Sequence, residues 1–245
     1  MRALTVALCL ALTSFAGAAR AQQTHAFSIE TGGEGGASTR APLAMFAGKQ
    51  LDPMSGVEAA FGRITVVALE DSRVVRGDGR QSRQAEWFAE VWHSRAGARV
   101  AVGSGVRRES TGANVALTRV VAEAPMLAGA LVGNVALERP FAAGRDPLDV
   151  ITTVAYSRRI GAVVSIGAEG LLQDVEGFWN PLEAEGGARL FLGPSVDLAL
   201  PAEGWRLHVT GGRDMRASSG SGGSDAYRAL GRSGAVVRVS ASHGF

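Results

Sequence analysis

From Gly56 to the C-terminus, apolar and polar residues alternate in run after run. Period-two alternation sends successive side chains to opposite faces of a strand. Ten such runs can be marked, near 56–70, 84–95, 97–107, 113–123, 127–138, 149–159, 161–172, 186–200, 204–215 and 234–245. Their apolar faces are carried by Val100, Val102 and Val106 in the third run and by Leu131, Val135 and Leu137 in the fifth. Val150, Val154 and Tyr156 do the same in the sixth, Leu190, Leu192, Val196, Leu198 and Leu200 in the eighth, and Trp205, Leu207 and Val209 in the ninth. The links between runs, near 71–83, 95–98, 108–112, 124–126, 139–148, 160, 173–185, 201–204 and 216–233, alternate long and short. That alternation predicts an all-β, antiparallel, up-and-down transmembrane barrel, with short turns at one end and longer loops at the other.

Two stretches fit this pattern less simply. In Ser82–Ser94 the spacing of Trp87, Phe88, Val91 and Trp92 also suits one face of a helix. A strand is favoured, because Arg95-Ala96-Gly97 completes a hairpin with the next run. Residues 22–55 read either as a periplasmic lead-in or as a further hairpin, so about ten strands are expected and twelve remain open.

The last run, AVVRVSASHGF, places Val237, Val239, Ala241 and Phe245 on one face and ends on an aromatic residue. This tail resembles the closing strand of small bacterial outer-membrane β-barrel proteins, although His243 stands where those proteins often carry a second aromatic. The resemblance implies that Phe245, with Val239 and Val237, acts as an assembly signal read by the barrel-assembly machinery. It also implies contact with outer-membrane lipids and lipopolysaccharide.

Residues 1–21 carry Arg2, an apolar stretch and Ala19-Arg20-Ala21, the layout of a secretory signal cleaved before Gln22. The run sits near the lower limit for a spanning helix and ends in a cleavage pattern, so a membrane anchor is the weaker alternative. Cleavage would remove Cys9, the single cysteine, and with it any disulfide or thiol chemistry. Taking away Arg2 and Arg20 leaves 23 basic against 23 acidic residues. No electrostatic footprint for nucleic acid survives that balance. Beyond the signal no apolar run is long enough for a transmembrane helix, but strands need only about 9–11 residues each to cross.

With the alternation carried through, the inner face collects Arg63, Glu86, Glu90, Arg99, Arg107, Asn134, Glu138, Glu169, Arg189, Asp197, Arg206, His208 and Arg238. Both signs are present, and buried charges need partners, so a paired network filling the lumen is the leading expectation. The alternative is a narrow path for small solutes lined by Arg63, Arg99, Arg189, Arg206 and Arg238. Arg119 falls on the apolar face with Val115, Leu117 and Val121, as a snorkelling residue or a sign of misassigned register.

The search for enzyme chemistry finds little. His93-Ser94 are sequence neighbours and so face opposite ways, and no His-x-Ser element occurs. Asp197 and His208 can meet across neighbouring strands, with Asp214 further along, but a satisfied lumen pair explains them better than a rim hydrolase does. There is no His-x-x-x-His pair or histidine cluster, and no metal or cofactor is expected. The Gly-rich segment 32–36 lacks the setting of a phosphate cradle. Residues 212–234 have the composition of a mobile external loop, with calcium or lipopolysaccharide contact as the alternative. The expectation is a non-enzymatic outer-membrane barrel, structural or a narrow pore. Its competitors are an outer-membrane hydrolase and a soluble periplasmic β-sandwich.

Overall fold

A computed structural model describes residues 37–46, 50–61, 63–75, 78–109, 111–143, 145–179, 187–200, 205–218 and 233–244. The signal segment, the Gly-rich segment 32–36 and Phe245 lie outside the described residues. Twelve antiparallel strands form the wall: β1 Ala37–Phe46, β2 Gln50–Phe61, β3 Ile64–Val75, β4 Asp78–His93, β5 Arg99–Arg108, β6 Asn114–Met126, β7 Gly129–Phe141, β8 Asp149–Arg159, β9 Val164–Gln173, β10 Arg189–Leu200, β11 Trp205–Arg216 and β12 Gly234–Gly244. Each pairs with its sequence neighbours, and β1 closes on β12 through partners running from Ser38–Gly244 to Phe46–Val236. Closure leaves no sheet edge, so backbone donors and acceptors along the strands are satisfied within the wall.

The count is twelve rather than ten for two reasons. Residues 37–46 form a wall strand. The run read as one strand over 56–70 is a hairpin, broken at 62–63, with Phe61 opposite Ile64. Its apolar residues alternate across the turn, so periodicity alone does not reveal the break. The long link expected over 71–83 is likewise paired strand, continuous up to Val75 opposite Asp78. The turns at 62–63, 94–98, 127–128, 160–163 and 201–204 share one end, the short-turn end. The longest links, 142–148, 174–188 and 217–233, share the other, the loop end. The links 47–49, 76–77 and 109–113 at that same end are short, so the expected alternation of long and short holds only from β7 onward.

Two features refine the face assignments. β4 is a strand throughout, and a register shift between Glu90 and Trp92 forms a β-bulge. The bulge lets Trp92 join Trp87 on the outer surface, although strict alternation would turn it inward with Glu86 and Phe88. In β6 the expected faces are exchanged. Val115, Leu117, Arg119 and Val121 are buried inside the barrel, while Ala116, Thr118, Val120 and Ala122 face outward. A narrow barrel is filled by its own side chains, apolar ones included, so the more hydrophobic face of a strand need not be its outer face.

Outside, the wall presents Trp87, Val106, Val154, Ile166, Leu192 and Leu200, each 46–64% exposed. So much exposed apolar surface is foreign to a soluble monomer. Inside, Phe88 packs with Val67, Val121 and Val132. A second cluster, Ala136, Ile151, Leu171, Phe191 and Val236, lines the strands from β7 to β12. Gly103 faces Phe88 across β4 and β5, where a Cβ would collide with the ring.

Candidate functional site: the inner face of the barrel

Charged side chains on the inner face meet in pairs that the strand register sets up. Glu86 of β4 accepts two bonds from Arg119 of β6, at Nε and Nη2, both 3.1 Å. It also accepts one from the Gln84 side chain. Arg107 of β5 reaches across β6 to Glu138 of β7, with Nη1 at 2.8 Å from Oε1. Arg189 of β10 pairs with Asp214 of β11, and Arg99 with Glu123 at 2.6 Å. Planar guanidinium forks suit such charge-assisted bonds, and pairing offsets the cost of taking both ions out of water.

At the loop end the network gains a member from outside the wall. Arg145, from the 142–148 link, inserts its side chain between Glu109 (2.9 Å) and Asp149 (3.0 Å). Glu109 also lies 3.4 Å from Arg107, so Glu138, Arg107, Glu109, Arg145 and Asp149 form one chain of alternating charge. The short 3-10 turn Val175–Phe178 folds onto β8, where Glu176 accepts the Val150 N–H at 2.9 Å. Ser218 ties the last loop down by accepting from the Ala188 N–H and donating to the Gly177 carbonyl, both at 2.8 Å.

His208 of β11 lies between two carboxylates. Its Nδ1 is 2.8 Å from Asp197 on β10, and its Nε2 is 2.6 Å from Glu169 on β9. Carboxylates accept but do not donate when ionised, so this geometry places a proton on each ring nitrogen. Neither nitrogen is left to act as a base on water or a hydroxyl. Asp214, the third member of the hydrolase alternative, is bound to Arg189 instead. His93 lies 3.6 Å from Glu90, while the Ser94 Oγ accepts the Ala98 N–H and closes the turn. Among the described residues no group of three or more His, Cys, Asp or Glu side chains is arranged to hold a metal.

The remaining sequence-selected residues are placed as follows. Arg63 lies in the β2–β3 turn, exposed to solvent, 3.8 Å from Glu90 at the short-turn rim rather than within the lumen. Arg206 is exposed one residue into β11. Arg238 stacks over the Phe191 ring at 4.3 Å. Asn134 is buried on the inner face of β7. Val237 and Val239 lie on the outer side of β12, opposite Met45 and Leu43 of β1 in the seam that closes the barrel. Sequence reading missed Glu123, Glu109, Arg145 and Asp149. The first shares a β6 face whose register was inverted, and the next two sit in links, where alternation gives no signal.

Exposure divides the inner face by level. Arg107, Arg119, Arg145 and Arg189 are 1–3% exposed, as are the side chains of Glu86, Glu138 and Asp149. Toward the short-turn end, Arg99 and Glu123 are 19% and 25% exposed, and Asp197 and His208 28% and 25%.

No protein-family model and no curated protein matches the chain. Solved structures do. The chain is similar to the KdgM porin in complex with disordered oligogalacturonate, with a TM-score of 0.59 at 10% identity, covering 85% of this chain and 99% of that one. It is also similar to the NanC porin, with a TM-score of 0.54 at 10% identity, covering 84% and 98%. At such identity the likeness is one of architecture, and the chain has the fold of the outer-membrane porin barrels.

Proposed function

We propose that this chain is an integral outer-membrane protein without enzymatic activity, whose lumen is a funnel open toward the periplasm and closed in its outer half by paired charges. The short-turn end faces the periplasm in this reading, as in barrels with short periplasmic turns and longer external loops. The observation that carries the proposal is the division of exposure along the inner face, with ion pairs sealed toward the loop end and accessible toward the other. Export by a signal cleaved before Gln22 belongs to the same reading. So does insertion by the barrel-assembly machinery, read from Phe245, Val239 and Val237.

A steady path for acidic oligosaccharides, suggested by the oligogalacturonate in the KdgM structure, is less well supported. Such a path needs guanidinium groups available to the solute. Here Arg99, Arg107, Arg119 and Arg189 hold Glu123, Glu138, Glu86 and Asp214. A hydrolase is disfavoured by the double engagement of His208.

Fractionation and conductance together test the proposal. The chain should be recovered with the outer membrane, show heat-modifiable gel mobility, and give little or no steady current in a planar bilayer. Arg145→Gln should raise the frequency of openings. Recovery as a soluble periplasmic protein contradicts the membrane reading, and a large, constant current from the unaltered protein contradicts the closed funnel.

A further inference from the structure

Acidic and basic residues are distributed unequally between the two faces of the wall. Among the strand residues whose burial is described, every carboxylate is on the inner face, whereas Arg83, Arg108, Arg139, Arg158 and Arg213 are exposed on the outer face. Four of the five lie toward the loop end, and only Arg158 lies toward the short turns. Arg83 and Arg108 stand directly opposite one another on β4 and β5. Arg139 of β7 lies opposite Ala116 of β6, one outward position along from the row of Arg108 and Asn114.

Like charges placed opposite each other in a sheet are destabilising, and arginine on a lipid-facing wall adds a further cost. Glu70 stands opposite Arg83 in the β3–β4 register, whereas Arg108 stands opposite Asn114 and Arg139 opposite Ala116. Arg108 lies 3.4 Å from the Asn114 side-chain oxygen and Arg139 lies 5.8 Å from the centre of the Phe141 ring, neither of them anionic. Small residues, Ala116 and Asn114, separate them. Val106, Leu137 and Val135 continue the same outer face toward the middle of the wall, all exposed. Guanidinium forks above an apolar strip match a ligand with a phosphate head and hydrocarbon chains, because arginine binds phosphate in a bidentate manner.

We propose that Arg108 and Arg139, with Arg83 beside them, form a docking surface for a phosphorylated glycolipid of the outer leaflet. Its phosphate sits between the guanidinium groups, and its acyl chains lie along Val106, Val135 and Leu137. The inference rests on the outer-membrane reading above and adds a lipid partner to it.

The test is a lipid titration of the folded full-length mature barrel in neutral detergent micelles, using lipid A with its phosphates, lipid A stripped of them, and inorganic phosphate. Phosphorylated lipid A should bind most tightly. The Arg108→Gln/Arg139→Gln double variant should bind it roughly tenfold or more weakly, the loss expected when charge-assisted bonds become neutral ones. Heat-modifiable mobility of that variant verifies that it has folded. Arg158→Gln, at the opposite end, should leave binding unchanged. Equal binding of stripped lipid A, full affinity in the double variant, or an equal loss in Arg158→Gln overturns the inference. Competition by inorganic phosphate at the same concentration as lipid A also overturns it, since it indicates a simple anion site. A barrel that fractionates with the outer membrane yet ignores the phosphates sinks this inference alone, whereas a soluble chain sinks the membrane reading beneath it.

Discussion

Arg119 is the residue at which hydrophobic pattern and structure part most clearly. Its neighbours Val115, Leu117 and Val121 mark an apolar stripe, and an apolar stripe on a membrane strand suggests lipid. In the folded chain the stripe points inward and Arg119 holds Glu86 with two bonds. What decides the face is the register with β5, where Arg119 stands opposite Gly103 and so inherits the orientation of that inward position. Register is a property of pairs of strands, which a single run does not contain. Glu86, by contrast, was readable from its own strand. The pair supports a sharp prediction. Glu86→Ala removes both of these bonds from a buried guanidinium and should cost about 3–5 kcal/mol of stability, measured by denaturant unfolding in detergent. The double change Glu86→Leu with Arg119→Met should recover most of that loss. A single variant as stable as the parent contradicts the pairing.

At the scale of the element, the turns explain both what was legible and what was not. The Arg95-Ala96-Gly97 turn was readable because Gly97 supplies the positive φ (89°) that such a turn needs. The turn at 127–128 carries no such mark. Leu127 and Ala128 both adopt positive φ, 47° and 60°, without being glycine, and the Tyr156 hydroxyl from β8 donates to the Leu127 carbonyl at 2.9 Å. The cost of this backbone is therefore met by a contact from a neighbouring strand. Leu127→Asn with Ala128→Gly, the residues favoured in a two-residue hairpin, should stabilise the barrel by about 1 kcal/mol. Unfolding midpoints at a constant denaturant slope check this, and a destabilised variant would show that the Leu127 side chain matters more than its backbone. The hairpin hidden in 56–70 is the complementary case, since its turn interrupts neither the apolar count nor the alternation.

For the whole molecule, the strand pattern indicated a closed antiparallel barrel with unequal ends, while the state of its lumen depended on contacts between distant strands. Balanced charges on the inner face are readable from the alternation alone. The alternation does not show that Arg145 arrives from a link to complete the outer network, or that Phe191 and Phe88 join apolar clusters inside. Those features make the outer half of the funnel dense and leave the half near Ser165, Asp197 and His208 accessible. Cysteine accessibility tests that asymmetry most directly, because the mature chain contains no cysteine if cleavage occurs before Gln22. Ser165→Cys and Thr153→Cys place one thiol each on the inner faces of β9 and β8, the first half-buried and the second 9% exposed in the parent chain. In proteoliposomes given a small membrane-impermeant thiol reagent on each side in turn, Ser165→Cys should label rapidly from the short-turn side and slowly from the loop side. Thr153→Cys should be protected from both. Rapid labelling of both positions from both sides would reveal a continuous water path and contradict the closed funnel.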